Sequence, residues 1–192
     1  MDTILDTPNN PDLPNLAAVS PWATVQKFAT MQVLAAILVN LIMVTGGFLG
    51  NQGIGFLAAV PAIALLAFSL REHKEQYLNG YLPFKRVVRI SWLTGLVVAI
   101  PMAIWTFVMF KYIAPGALDG ILENVRTQME AQFEKQGNTD TEMIETIVGF
   151  YKKWVFTPIS MGLMTLIMQP LSMLFWGVIV GLFVRKEIPK MT

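Results

Sequence analysis

Four apolar runs dominate this sequence, at about Phe28–Phe48, Ile54–Leu70, Phe84–Phe110 and Pro158–Val184. Past the first two turns of the third run, none of them contains Asp, Glu, Lys, Arg or His between its ends. At about 1.5 Å per residue the longer runs cross a hydrocarbon core of about 30 Å, and the second reaches about 25 Å. A backbone immersed in lipid must satisfy its own hydrogen bonds, which favours helices. The expected fold is therefore all-α: an integral membrane protein with four transmembrane helices and an extramembrane amphipathic helical hairpin, residues 115–157, between the third and fourth spans. Composition agrees, because 14% of the residues are charged against about a quarter in soluble domains. All 192 residues are used by four spans and their loops, so one membrane domain, residues 1–192, is expected.

Charge placement sets the expected threading. Arg71, Lys74, Lys85, Arg86 and Arg89 crowd into the connector between the second and third runs. Short loops rich in Lys and Arg stay on the cytoplasmic side. Both termini are then cytoplasmic, with nine of the 14 basic residues inside and five outside. The turn from Gly46 to Gly53 carries no charge and is easily translocated. Residues 1–21, acidic and broken by Pro8, Pro11, Pro14 and Pro21, read as a disordered cytoplasmic tail. That tail lacks the positive start and apolar core of a signal peptide.

The five connector residues are candidate lipid-headgroup contacts. Near the start of the third span, Lys85, Arg86 and Arg89 are disfavoured by the positive helix end. Anionic lipid returns about 1 kcal/mol per basic residue. Asn79-Gly80 marks the turn within the connector, and Pro83 suits a helix start.

The exterior segment carries two apolar stripes. Leu118, Leu122, Val125, Met129 and Phe133 recur at three- and four-residue steps, as do Ile144, Ile147, Val148, Tyr151, Trp154 and Val155. Between them Gly137-Asn138 breaks the helix, and Thr139 with Glu142 forms a capping box. The stripes can cover each other, the bilayer surface or another chain. A lone two-helix hairpin buries little area, so Leu122, Val125, Met129, Phe133, Ile144, Ile147, Tyr151 and Trp154 are the candidate partner-facing set.

Inside the spans, Asn40 and Gln169 are strongly polar residues that fall near the middle of their runs. They are expected to hydrogen-bond across the first and fourth helices, a contact worth about 0.6 kcal/mol on average. Gly46 with Gly50, and Gly177 with Gly181, repeat the four-residue spacing that lets helix backbones approach closely. Met161, Met164, Met168 and Met173 read as adaptable filler.

Several chemistries lack their residues. There is no cysteine, hence no disulfide framework or thiol nucleophile. The single histidine, His73, lies in the connector, remote in sequence from Ser91, Ser160 and Ser172, so no activated serine is expected. The seven exterior acids are spread as on a solvated helix face, without a metal-ligand spacing. A net charge of +1 offers no field for nucleic acid. Catalysis, metal and cofactor are therefore not expected; membrane lipid and a protein partner or homo-oligomer are. The expected function is a non-catalytic membrane scaffold or accessory subunit that associates through the exterior hairpin. The alternative is a small transporter or channel for a neutral solute.

The segment Gly80-Tyr81-Leu82-Pro83-Phe84-Lys85, a following span with Gly95 and Trp105, an acidic helical hairpin, Pro158, and a last span ending in Gly177 and Gly181 together resemble an uncharacterised family. That family comprises small four-span bacterial inner-membrane proteins and is catalogued as a domain of unknown function. The resemblance runs from the first span to Val184. It implies a multi-pass inner-membrane protein with both ends inside, and it brings no catalytic residues.

Overall fold

The computed structural model describes residues 19–48, 52–135 and 141–186, with residues 52–58 described by backbone alone. These residues are helical, in the order α1 (Trp22–Thr45), α2 (Gln52–Tyr77), α3 (Phe84–Val108), a π turn (Met109–Ile113), α4 (Ala117–Lys135), α5 (Thr141–Phe150), a second π turn (Tyr151–Val155) and α6 (Pro158–Val184). No β-strand forms among them. Among the described residues three helices are long and apolar enough to cross a membrane: Trp22–Thr45, Phe84–Ile113 and Pro158–Val184. α2, whose last two turns carry Arg71, Glu72, Lys74 and Glu75, is not among them.

Local chemistry explains most of the helix ends. Ser20 Oγ accepts the Trp22 N–H at 3.2 Å, satisfying one of the unpaired donors of the first turn. Pro83 stands just ahead of α3, its carbonyl accepting the N–H groups of Arg86 and Val87 at 2.9 and 3.2 Å. Thr157 caps α6 by accepting the Ser160 N–H at 3.2 Å, and Pro158 fills the first helical position, where no N–H is needed. Between α2 and α3, Asn79 (φ 48°) and Gly80 (φ 82°) take left-handed backbone. Gly80 accepts that conformation without a Cβ clash.

The helices exceed the expected spans most at two ends. α1 starts at Trp22, six residues before Phe28, and α2 continues past Leu70 to Tyr77. In α1, Thr24, Val25, Phe28, Ala29 and Gln32 are buried, so the turns before Phe28 have a face to pack. α6 runs over the expected Pro158–Val184. The Gly137-Asn138 break, the Thr139 cap and Gly50 lie outside the described residues.

The chain forms two compact units, Met1–Ala36 with Ala59–Ala99 and Met168–Thr192, and Ile37–Ala58 with Ile100–Ile167. The first has a core of Val25, Leu66, Leu70, Leu78, Leu82, Val87, Ile90, Met173 and Val180. In it, α3 and α6 approach closely at glycines. A Cβ on Gly181 would lie 2.6 Å from Val87 Cγ1, one on Gly177 would strike the Ser91 side chain, and one on Gly95 would lie 2.7 Å from Pro170 Cα. Gly177 and Gly181 thus face their own chain. The stretch after α6 is tied back by an antiparallel bridge, Leu82 N–H to Lys186 O at 2.8 Å and Lys186 N–H to Leu82 O at 3.1 Å.

The second unit is built on Met109, Phe110 and Leu118, with Val44, Trp105, Ala117, Ile121, Phe156 and Met161 packed around them. There α4 and α5 pack on each other. Arg126 links them, 2.9 Å from Glu130 and 3.9 Å from Glu145, and Lys152 meets Asp119 at 3.2 Å. Exposed pairs of this kind contribute little, about 0–1 kcal/mol each. Leu118 and Leu122 of α4 and Ile144 of α5 are buried, and removing such side chains from water contributes more than these pairs do.

Exposure along the apolar helices reverses the soluble pattern. Leu34, Leu38 and Ile42 on α1, Ile100 and Ile104 on α3, and Ile159, Leu163 and Ile167 on α6 are all more than half exposed. They recur at four-residue steps, so each helix offers a continuous apolar strip too large for a soluble surface.

Candidate functional site

The buried polar side chains, Thr24, Gln32, Ser69, His73, Arg86, Ser91 and Thr94, all belong to the first unit. At their centre is His73, fully buried near the end of α2. It falls on the helical face that buries Leu66, Ser69 and Leu70, three to seven residues earlier. Thr24 of α1 lies 3.0 Å from its Nδ1. Arg86, in the first turn of α3, donates from Nε to its Nε2 at 3.3 Å. The same guanidinium donates from Nη2 to the Val19 carbonyl just ahead of α1.

These contacts fix the tautomer. A guanidinium only donates, so Nε2 is the acceptor, Nδ1 carries the proton, and Thr24 Oγ1 receives it. Burial, then the charge of Arg86, pushes the imidazole down to about 4, and the ring stays neutral. With both nitrogens engaged and no exposed edge, His73 can present nothing to a substrate. Chemically the group is a clasp joining the start of α1, the end of α2 and the start of α3.

The five connector residues do not form one surface. Lys85 and Arg89 are exposed, and Arg71, also exposed, pairs with Glu75 at 2.8 Å. Lys74 turns to α6, donating to the Val184 carbonyl at 2.9 Å, where a cation suits the free carbonyls of a helix end. Arg86 departs from the headgroup assignment, because it is 8% exposed and its fork is directed at His73 and Val19. Lys27, at the inner edge of the expected first span, meets both oxygens of Glu72 at 2.8 Å. Asn40 and Gln169 are each half-buried, the first in the second unit and the other in the first.

The expected partner-facing set divides likewise. Leu122 and Ile144 are buried within the chain, so those two are not partner-facing. Val125, Met129, Phe133, Ile147 and Tyr151 are half-buried, while Trp154 is 60% and its neighbour Phe150 59% exposed. A cleft of about 290 Å³ in the second unit has Phe110, Leu118, Leu122 and Phe156 as its floor and Lys111 and Lys152 at its rim.

Sequence reasoning passed over His73 and Phe150. For His73 the signal was spacing: Leu66, Leu70, His73 and Tyr77 continue one helical stripe into the connector. For Phe150 it was a second stripe on α5, Met143, Ile147, Phe150 and Trp154, beside the one counted.

Among the described residues these features define an all-helical fold with three membrane-length apolar helices and an interior clasp that joins α1, α2 and α3. The chain belongs to the family described as a protein of unknown function, DUF4199, whose model matches residues 27–186. No curated protein and no solved structure matches it.

Proposed function

We propose that this chain is a non-catalytic scaffold or accessory subunit of a bacterial inner membrane. It crosses the bilayer four times with both termini in the cytoplasm, and it associates with itself or another protein through α4 and α5 on the outer side. The observation that carries this reading is that α5, with the π turn that continues it, has two apolar faces. One, with Ile144, is buried in its own unit; the other leaves Phe150 and Trp154 more than half exposed, as a surface awaiting a partner would. Purification in a mild detergent, with mass analysis of the intact particle, tests the proposal. A dimer or a stoichiometric companion is expected. A stable lone monomer overturns it.

A second reading, a conduit for a small neutral solute, is favoured by the buried hydroxyls of Ser69, Ser91 and Thr94, which have no hydrogen-bond partner. Because the chain has no cysteine of its own, Thr94→Cys gives a unique thiol. Its reaction with a membrane-impermeant reagent supports this reading, and protection from both sides of the membrane opposes it.

A further inference from the structure

The second face of α5 is self-complementary, and we infer that its occupant is the same face of a second copy, packed antiparallel about a twofold axis. The inference rests on the scaffold reading and narrows it to one partner. Met143, Ile147, Phe150 and Trp154 follow one another at four-, three- and four-residue steps, which keeps them on one side of the helix and its π turn. Met143, Phe150 and Trp154 are 48%, 59% and 60% exposed, and Ile147 is half-buried.

The order of the stripe reads sensibly in both directions. Turned end for end, Met143 falls opposite Trp154 of the other copy and Ile147 opposite Phe150, so each contact occurs twice, as an isologous interface requires. A flexible thioether against an indole and a branched side chain against a phenyl ring are favourable apolar partners.

Charge points to the same arrangement. Glu142 precedes the stripe and Lys153 stands just before its last member, with its Nζ 5.4 Å from the centre of the Trp154 ring, and both side chains are exposed. At about 100° per residue they project from the same flank of the helix. In an antiparallel pair each flank meets its own counterpart reversed, so Glu142 approaches Lys153 of the other copy at both ends. A parallel pair, whose axis runs along the helices, carries the two copies of this flank to opposite sides of the seam, so Glu142 and Lys153 gain no partner there and that alternative lacks the charge pairing. The other nearby charges, Glu145 and Lys152, already face Arg126 and Asp119 within the chain at 3.9 and 3.2 Å.

Membrane geometry adds a condition. Two copies inserted the same way are related by an axis along the bilayer normal, and antiparallel α5 helices are perpendicular to that axis. In the dimer α5 therefore lies along the membrane surface. The bend between the second π turn and α6, at Phe156 and Thr157, provides the change of direction this needs.

The test uses the full chain in native membranes, where each introduced cysteine is unique. Under mild oxidation Phe150→Cys, near the twofold axis, is expected to give a disulfide-linked dimer. Met143→Cys alone is expected to give none, since its copies are about 16 Å apart along the helices, yet it links to Trp154→Cys when both chains are co-expressed. Thr127→Cys on the exposed side of α4 serves as a negative control. In a second arm, Glu142→Lys and Lys153→Glu each reduce the dimer fraction about fivefold, and co-expression of the two variants restores it as a heterodimer. Equal self-linking at positions 143, 150 and 154 overturns the antiparallel arrangement. Quenching of a fluorophore at position 150 by lipid-borne quenchers, without cross-links, overturns the inference because the face then lies on the bilayer. If cross-links are absent while another protein co-purifies, the second copy is excluded and the scaffold reading survives. A lone monomer ends both.

Discussion

Arg86 donates from Nε to Nε2 of His73 across 3.3 Å, so a charged group adds to burial in holding the imidazole of a neighbouring helix in its neutral form. The arrangement works only while His73 accepts. Once protonated, the ring has two N–H groups, loses the bond from Arg86 and confronts a like charge.

The pH dependence of stability follows with a definite sign. His73 has an ordinary value of 6.5 and sits at about 4 in the folded protein, so between those values the unfolded chain binds the extra proton. Its contribution is fully present above pH 6.5 and is lost as pH falls from 6.5 through 4, by up to about 3 kcal/mol. Thermal unfolding in detergent across this range is expected to show Tm falling with pH. In His73→Gln that fall is expected to flatten; an unchanged slope would remove His73 as its source.

Thr24 tests the other side of the ring. With Nε2 committed to Arg86, the Nδ1 proton has Thr24 Oγ1 as its acceptor at 3.0 Å. Thr24→Val keeps the shape and deletes the acceptor, which is expected to cost about 1–3 kcal/mol. Thr24→Ser, which retains the hydroxyl, should lose much less. Equal losses in unfolding experiments would mean that packing alone matters at this position.

Parts of this arrangement were legible in the sequence because they depend on local rules. The Pro158 start and Val184 end of α6 follow from the limits of its apolar run, and the Asn79-Gly80 turn follows from glycine chemistry. The extension of α2 through Arg71-Glu72-His73-Lys74 was hidden, because the charges suggested a loop while the packed face continued beneath them. Arg86 was misread for a related reason: sequence shows that it is basic and near a span end, but not which way its helix turns it. The π turns at Met109–Ile113 and Tyr151–Val155 had no signal, since one extra residue in a turn is set by the surrounding packing. Trp154 was found as part of an apolar stripe. The second stripe was present in the same spacing and passed over, and the burial of Ile144 with the exposure of Phe150 separates the two.

Glycine positions on α6 provide a steric prediction. Gly177→Ala would drive a methyl group into Ser91, and Gly181→Ala would place one 2.6 Å from Val87 Cγ1. Each is expected to destabilise by about 1–3 kcal/mol through separation of α3 and α6. Gly120, within α4, has nothing within 4 Å of its Cβ position, so Gly120→Ala should gain about 0.5–1 kcal/mol. Unfolding midpoints in one detergent check the contrast, and equal behaviour of the three variants would dissolve it.

Threading can be tested without reference to any partner. Under the proposed four spans, the even number of crossings returns Thr192 to the side of the Arg71–Arg89 connector. A reporter that works only in the cytoplasm should be active after Thr192 and silent when inserted between α4 and α5. The charge argument also predicts which residues hold this orientation. Lys85 and Arg89 are exposed and available to the inner surface, whereas Arg86 and Lys74 are occupied by His73, Val19 and Val184. Replacing Lys85 and Arg89 with Gln should therefore raise the inverted fraction while leaving the Tm of correctly inserted protein nearly unchanged. Arg86→Gln should do the opposite, lowering Tm by opening the clasp with little effect on orientation. If both variants shift orientation alike, the buried guanidinium serves as one more topogenic charge and its separate role fails.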